Sequence, residues 1–132
     1  MKARKRPKLP PVSEQMKAWS AALTAEIAGW PRVSARSFFG FNALYHGEQM
    51  FAALPRTRAM HTPNSLVFKL VHAAAPLQKR LQADPRVGSM EMKKARWYTF
   101  ELDSDADLHD ALDWIKRSYD AAKTANPQKK AR

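Results

Sequence analysis

The sequence predicts an α+β domain: a two-layer sandwich in which an antiparallel sheet of about five strands carries three helices on one face. Three observations predict it. Apolar residues recur at helical spacing in two stretches, Met16, Trp19, Leu23, Ile27 and then Leu108, Ala111, Leu112, Ile115, Tyr119, Ala122. Between them apolar and polar residues alternate, with Gly and Pro placed where hairpins turn. Helices and strands do not alternate strictly along the chain, which argues against a doubly wound parallel sheet. With 132 residues, 45% of them hydrophobic, the chain has material for one domain and one core.

Element by element, residues 1–11 read as a disordered basic arm, residues 12–123 as the domain, and residues 124–132 as a basic tail. Ser13 is placed to cap a first helix over 14–28, which Gly29 and Pro31 stop. Phe39, Phe41, Ala43 and Tyr45 alternate with Gly40, Asn42 and Leu44 as a strand, His46, Gly47 and Glu48 form a tight turn, and residues 50–54 return. Residues 56–64 read as a polar loop and 65–71 as a strand. Pro76 suits the first turn of a helix over 75–83. Residues 86–95 read as a loop or a short irregular strand, and 96–102 as a strand with Tyr98, Phe100 and Leu102 on one face and Trp97 on the other. Ser104 is placed to cap the last helix, with Asp105 and Asp107 in its first turn, where the macrodipole favours negative charge. Trp19 continues a core stripe, and Trp114 borders the stripe of the last helix as a half-exposed residue.

Charge is unevenly placed. The two ends supply +9 of the net +11: Lys2, Arg4, Lys5, Arg6 and Lys8 at one, Lys123, Lys129, Lys130 and Arg132 at the other. The middle of the chain is basic, and residues 101–120 carry seven acids against Lys116 and Arg117. Such a distribution attracts polyanions. Arg56 and Arg58 in one loop, and Lys93, Lys94 and Arg96 in another, would form a phosphate-contacting surface if the loops met at one sheet edge.

Catalytic and metal chemistry finds little support. The chain has no Cys, which removes thiolate metal sites, disulfides and a Cys nucleophile. His46, His61, His72 and His109 lack ligand spacing. Asp103, Asp105 and Asp107 begin like a calcium loop, but Leu108 stands where Gly is required and Trp114 where the bidentate Glu belongs. No phosphate-cradling glycine motif and no nucleophile elbow occurs. The expectation is no enzyme, no cofactor and no metal. No apolar stretch is long enough to span a bilayer and none follows the basic start as a secretory signal would, so a cytoplasmic protein without membrane contact is expected.

Trp30-Pro31-Arg32-Val33, Phe38-Phe39-Gly40, Ala43-Leu44, Gly47 and Met50-Phe51-Ala52-Ala53-Leu54 resemble the N-terminal domain of the TfoX/Sxy competence-regulator family, whose pattern runs W/L-P-G-V, Met-Phe-Gly, then a hairpin returning as Met-Phe-Ala. Arg96-Trp97 and Leu112, Ser118 and Tyr119 are similar to the related MmcQ/YjbR-like proteins. The resemblance spans about residues 27–122. It departs at Arg32, where the pattern has Gly, at Phe38, where it has Met, and in the basic arm. It implies a YjbR-like, secretion-chaperone-like two-layer fold in a bacterial protein without catalytic residues. It also suggests DNA binding and a part in transcriptional regulation. The expected contacts are Lys2, Arg4, Lys5, Arg6, Lys8, Arg56, Arg58, Lys93, Lys94 and Arg96, with DNA or another polyanion as partner. The alternative is a protein–protein interaction module that uses the sheet face or the Trp114 side of the last helix, its tails serving solubility.

Overall fold

Ser13 Oγ accepts the backbone N–H of Met16 at 3.0 Å and so starts helix α1 (Glu14–Ala28), which ends at Gly29. The computed structural model describes residues 11–59, 62–70, 74–89 and 97–125. After α1 come strands β1 (Val33–Phe38), β2 (Phe41–His46), β3 (Gln49–Pro55) and β4 (Ser65–Lys69). Helix α2 (Ala75–Ala83), strands β5 (Val87–Ser89) and β6 (Trp97–Glu101), and helix α3 (Asp107–Ala125) complete the chain. The strands form one six-stranded antiparallel sheet in the order β1-β2-β3-β4-β6-β5.

The α+β sandwich is as predicted, with six strands instead of five. The added strand is β1. Five of its six residues are exposed at the sheet edge, so it carries no apolar alternation to read. Phe39 and Gly40, expected inside a strand, are the turn that joins β1 to β2. Within residues 86–95, three residues pair with β6 as the short strand β5, while 90–95 lie outside the described residues. The cap of α3 also differs. The helix starts at Asp107, whose Oδ2 accepts the backbone N–H groups of Asp103 at 2.7 Å and Ser104 at 3.2 Å. The carboxylate thus reaches back to N–H groups ahead of the helix, while the Ser104 backbone carbonyl accepts the Asp107 N–H at 3.0 Å. Helix α3 runs to Ala125, two residues past the boundary read from sequence.

Helices α1 and α3 cover one face of the sheet. Met16, Trp19, Leu23 and Ile27 from α1 and Ala111, Trp114, Ile115, Tyr119 and Ala122 from α3 meet Leu44, Phe51, Leu54, Leu66, Phe68 and Phe100 in the main core. Leu108 and Leu112 join it at its margin, half-buried. Tyr119 is a hub: its hydroxyl donates to the Pro31 carbonyl at 2.8 Å, and its ring packs on Trp30, His46 and Phe51. Trp114, expected to be half exposed, is buried. It stacks on Phe68 at 5.8 Å while the guanidinium groups of Arg80 and Arg117 lie over its ring. On the opposite face Phe41, Ala53 and Val67 form a second small cluster with Trp97 against it, the side expected for Trp97.

Candidate functional site

The β1–β2 hairpin is as tight as a hairpin can be. Phe38 pairs with Phe41, leaving Phe39 and Gly40 as a two-residue loop. Both have positive φ, 49° and 86°, the pattern of a type I′ turn. That turn favours Asn-Gly, because the left-handed region crowds a Cβ. Here an aromatic residue occupies the first position. Phe39 is 81% exposed and Phe38 41%, with their rings edge to face at 4.7 Å. No other large apolar side chain among the described residues is exposed.

Gly40 fastens this tip to the basic loop after β3. Its carbonyl accepts the backbone N–H groups of Arg56 at 3.0 Å, Thr57 at 2.9 Å and Arg58 at 3.3 Å. The approach is close because there is no side chain: a Cβ on Gly40 would lie 2.9 Å from Thr57 Oγ1 and 3.0 Å from Arg58 Cγ. The backbone of Arg56 and Arg58 is therefore held against the Phe39-Gly40 turn, with both side chains exposed to solvent.

The root of the basic arm reaches the same place. Pro11 forms an isolated antiparallel bridge with Arg58, and the Val12 N–H donates to the Thr57 carbonyl at 3.3 Å. Lys2, Arg4, Lys5, Arg6 and Lys8 lie outside the described residues. Between Arg32 and Arg58 the sequence holds one carboxylate, Glu48, in the β2–β3 turn at the other end of β2. Glu14, at the start of α1, is ion-paired with Lys17 at 3.2 Å. Two exposed aromatics, two exposed arginines and Pro11 thus come to one end of the sheet.

Lys93, Lys94 and Arg96 lie outside the described residues. Their segment joins the sheet at Trp97, the first residue of β6, whereas Arg56 follows the last residue of β3. Both strands are antiparallel to β4, so they run the same way and these two points lie at opposite ends of the sheet. The two basic loops do not issue from a shared end. Beside Trp97, Lys69 Nζ lies 5.8 Å from the indole ring, and across the same face Arg36 stacks on Tyr45 at 4.5 Å.

Sequence reasoning passed over a third region. Arg86 lies against three carboxylates: it makes a two-pronged pair with Asp84, both contacts 2.9 Å, and contacts Asp107 at 2.8 Å and Asp110 at 3.1 Å. Its guanidinium also covers the Phe100 ring at 4.9 Å. The Arg86 hydrogen bonds hold the Asp84 carboxyl below the usual carboxylate range. Asp107 is held low first by the Asp103 backbone N–H and then by Arg86. A hollow of about 540 Å³ beside them is lined by Arg80, Asp84, Arg86, Asp110, Asp113 and Trp114. Asp84 and Asp107 are kept ionised and are occupied by Arg86, which suits a clamp between α2, β5 and α3 better than proton transfer. No group of His, Asp and Glu that could hold a metal ion occurs among the described residues, and no helix among them is long and apolar enough to cross a membrane. The signal for the clamp, Asp84-Pro85-Arg86 followed by Asp107 and Asp110, depends on a contact across about twenty residues that periodicity does not reveal.

No protein-family model, curated protein or solved structure matches this chain.

Proposed function

We propose that this chain is a non-catalytic, nucleic-acid-binding domain of the TfoX N-terminal or YjbR-like type, acting in bacterial transcriptional regulation in the cytoplasm. The observation that carries the binding reading is the meeting of Phe38, Phe39, Arg56, Arg58 and the root of the basic arm at one end of the sheet. Cations supply affinity for phosphates by releasing counterions, and exposed aromatic faces supply stacking platforms for bases. Turn geometry supports the family reading. Arg32, at φ 63°, follows Pro31 in a turn closed by Val33 N–H to Trp30 carbonyl at 3.2 Å, and the family pattern has Gly at that place. Gly40, with positive φ, matches the Gly of Met-Phe-Gly.

A titration of the full chain with labelled single-stranded and duplex DNA across a salt series tests the reading. The expected result is binding that weakens steeply as salt rises. Undetectable binding to both at low salt overturns it. The second reading, a protein-interaction module, has its own observation: among the described residues β1 is the outer strand of the sheet and ends in two exposed Phe residues, a form suited to adding a partner strand. Retention of a partner protein that Phe38→Ser releases, without DNA binding, would favour it.

A further inference from the structure

We infer that the hairpin tip takes an unpaired base of a single strand, stacked on Phe39, with the adjoining phosphates on Arg56 and Arg58. The inference rests on the nucleic-acid reading above and narrows it to single strands. Phe39 combines two features that packing does not explain. It is 81% exposed, and it occupies a left-handed position, φ 49°, that suits Asn or Gly. The strain holds a bulky ring in solvent at the outermost point of the sheet, and such positions cluster where ligands are gripped. Phe38 braces that ring edge to face at 4.7 Å, so it is partly ordered before any ligand arrives.

The surroundings select the occupant. Three N–H bonds to the Gly40 carbonyl fix the backbone of Arg56 and Arg58 against the hairpin turn, next in sequence to Phe39, and both side chains are exposed. An exposed apolar ring with cations issuing from the adjoining loop is complementary to a flat base flanked by phosphates. A duplex yields a base face to the ring only at the cost of unstacking a step. A single strand offers both parts at once.

The test uses the full chain, its Phe39→Gly variant and its Arg56→Glu/Arg58→Glu variant. Each is titrated with a labelled 12-nucleotide thymidine strand, a duplex of equal length and vesicles containing phosphatidylserine. Phe39→Gly is chosen because glycine accepts the turn, so the thermal midpoint is expected to rise and folding is not in question. The expected result is tenfold or greater loss of strand affinity with an unchanged salt slope, and duplex binding as before. The Arg pair variant is expected to weaken both and to flatten the slope. Strand affinity within twofold of the parent in Phe39→Gly overturns the stacking inference and leaves the nucleic-acid reading standing if the parent still binds. A parent that binds neither strand nor duplex overturns the reading beneath it. Phe39-dependent binding to vesicles with no preference for the strand assigns the tip to a lipid surface and also overturns the inference.

Discussion

Replacing Arg86 by Met removes a cation that joins Asp84, Asp107 and Asp110 while keeping most of the side chain's volume. Hydrogen bonds to charged groups contribute ~1.5–3 kcal/mol each. Asp84 and Asp107 are 12% and 14% exposed but keep backbone donors without the guanidinium, the residue-86 N–H on Asp84 and those of Asp103 and Ser104 on Asp107, so each counts in part, whereas Asp110, at 49%, counts for little. The guanidinium itself is 30% exposed, so water replaces part of what is lost. The expected loss is ~2–4 kcal/mol at neutral pH. The sign of the pH dependence follows from the low carboxyl pKa values of Asp84 and Asp107 in the folded state. Their stabilisation is complete above the unfolded value of about 4 and fades as pH falls through the lower folded values. Urea unfolding followed by tryptophan fluorescence at pH 7 and at about pH 2.5 measures both effects. The gap between the parent and Arg86→Met should narrow markedly at the lower pH. A gap that stays constant would refute the electrostatic account and make Arg86 a packing residue over Phe100.

Three further outcomes are expected, each read from urea or thermal unfolding. Gly40→Ala should destabilise by ~2–3 kcal/mol, because its φ of 86° is strained for Ala and the new methyl meets Thr57 and Arg58. Arg32→Gly should stabilise by up to ~1 kcal/mol, relief of left-handed strain at φ 63° outweighing the entropy glycine gains in the unfolded chain. Ile115→Ala, at a fully buried position, should lose ~2–5 kcal/mol, while the half-buried Leu112→Ala should lose only ~1–2 kcal/mol; equal losses would mean that exposure does not rank these two sites.

Legibility in the sequence followed burial and locality. The limits of α1 and α2 are those expected, because Ser13 and Pro76 are local signals acting on their own helices. The split of Trp97 from Tyr98 and Phe100 followed from the period-2 alternation of a strand with apolar residues on both faces. Strand β1 was illegible because an exposed edge strand has no core side to betray it. Trp114 was misjudged because its position on the α3 stripe is marginal and its burial comes from Phe68 and the side chains over its ring. In the site, Arg56 and Arg58 were readable as cations and Pro11 as the arm's end. Their convergence on Gly40 was not, since it depends on backbone hydrogen bonds between segments that only the folded sheet brings together.

Contact of nucleic acid with the end of the sheet carrying Phe38, Phe39, Arg56 and Arg58 is the proposal on which the function rests. Its most direct test compares the salt dependence of single-strand binding by the full chain with that of Arg56→Glu/Arg58→Glu, the fold of each checked by thermal unfolding. Each lost phosphate contact lowers the slope of log affinity against log salt by roughly 0.7 on a single strand, so loss of both should lower it by about 1.4. An unchanged slope and affinity in the double variant would contradict the claim.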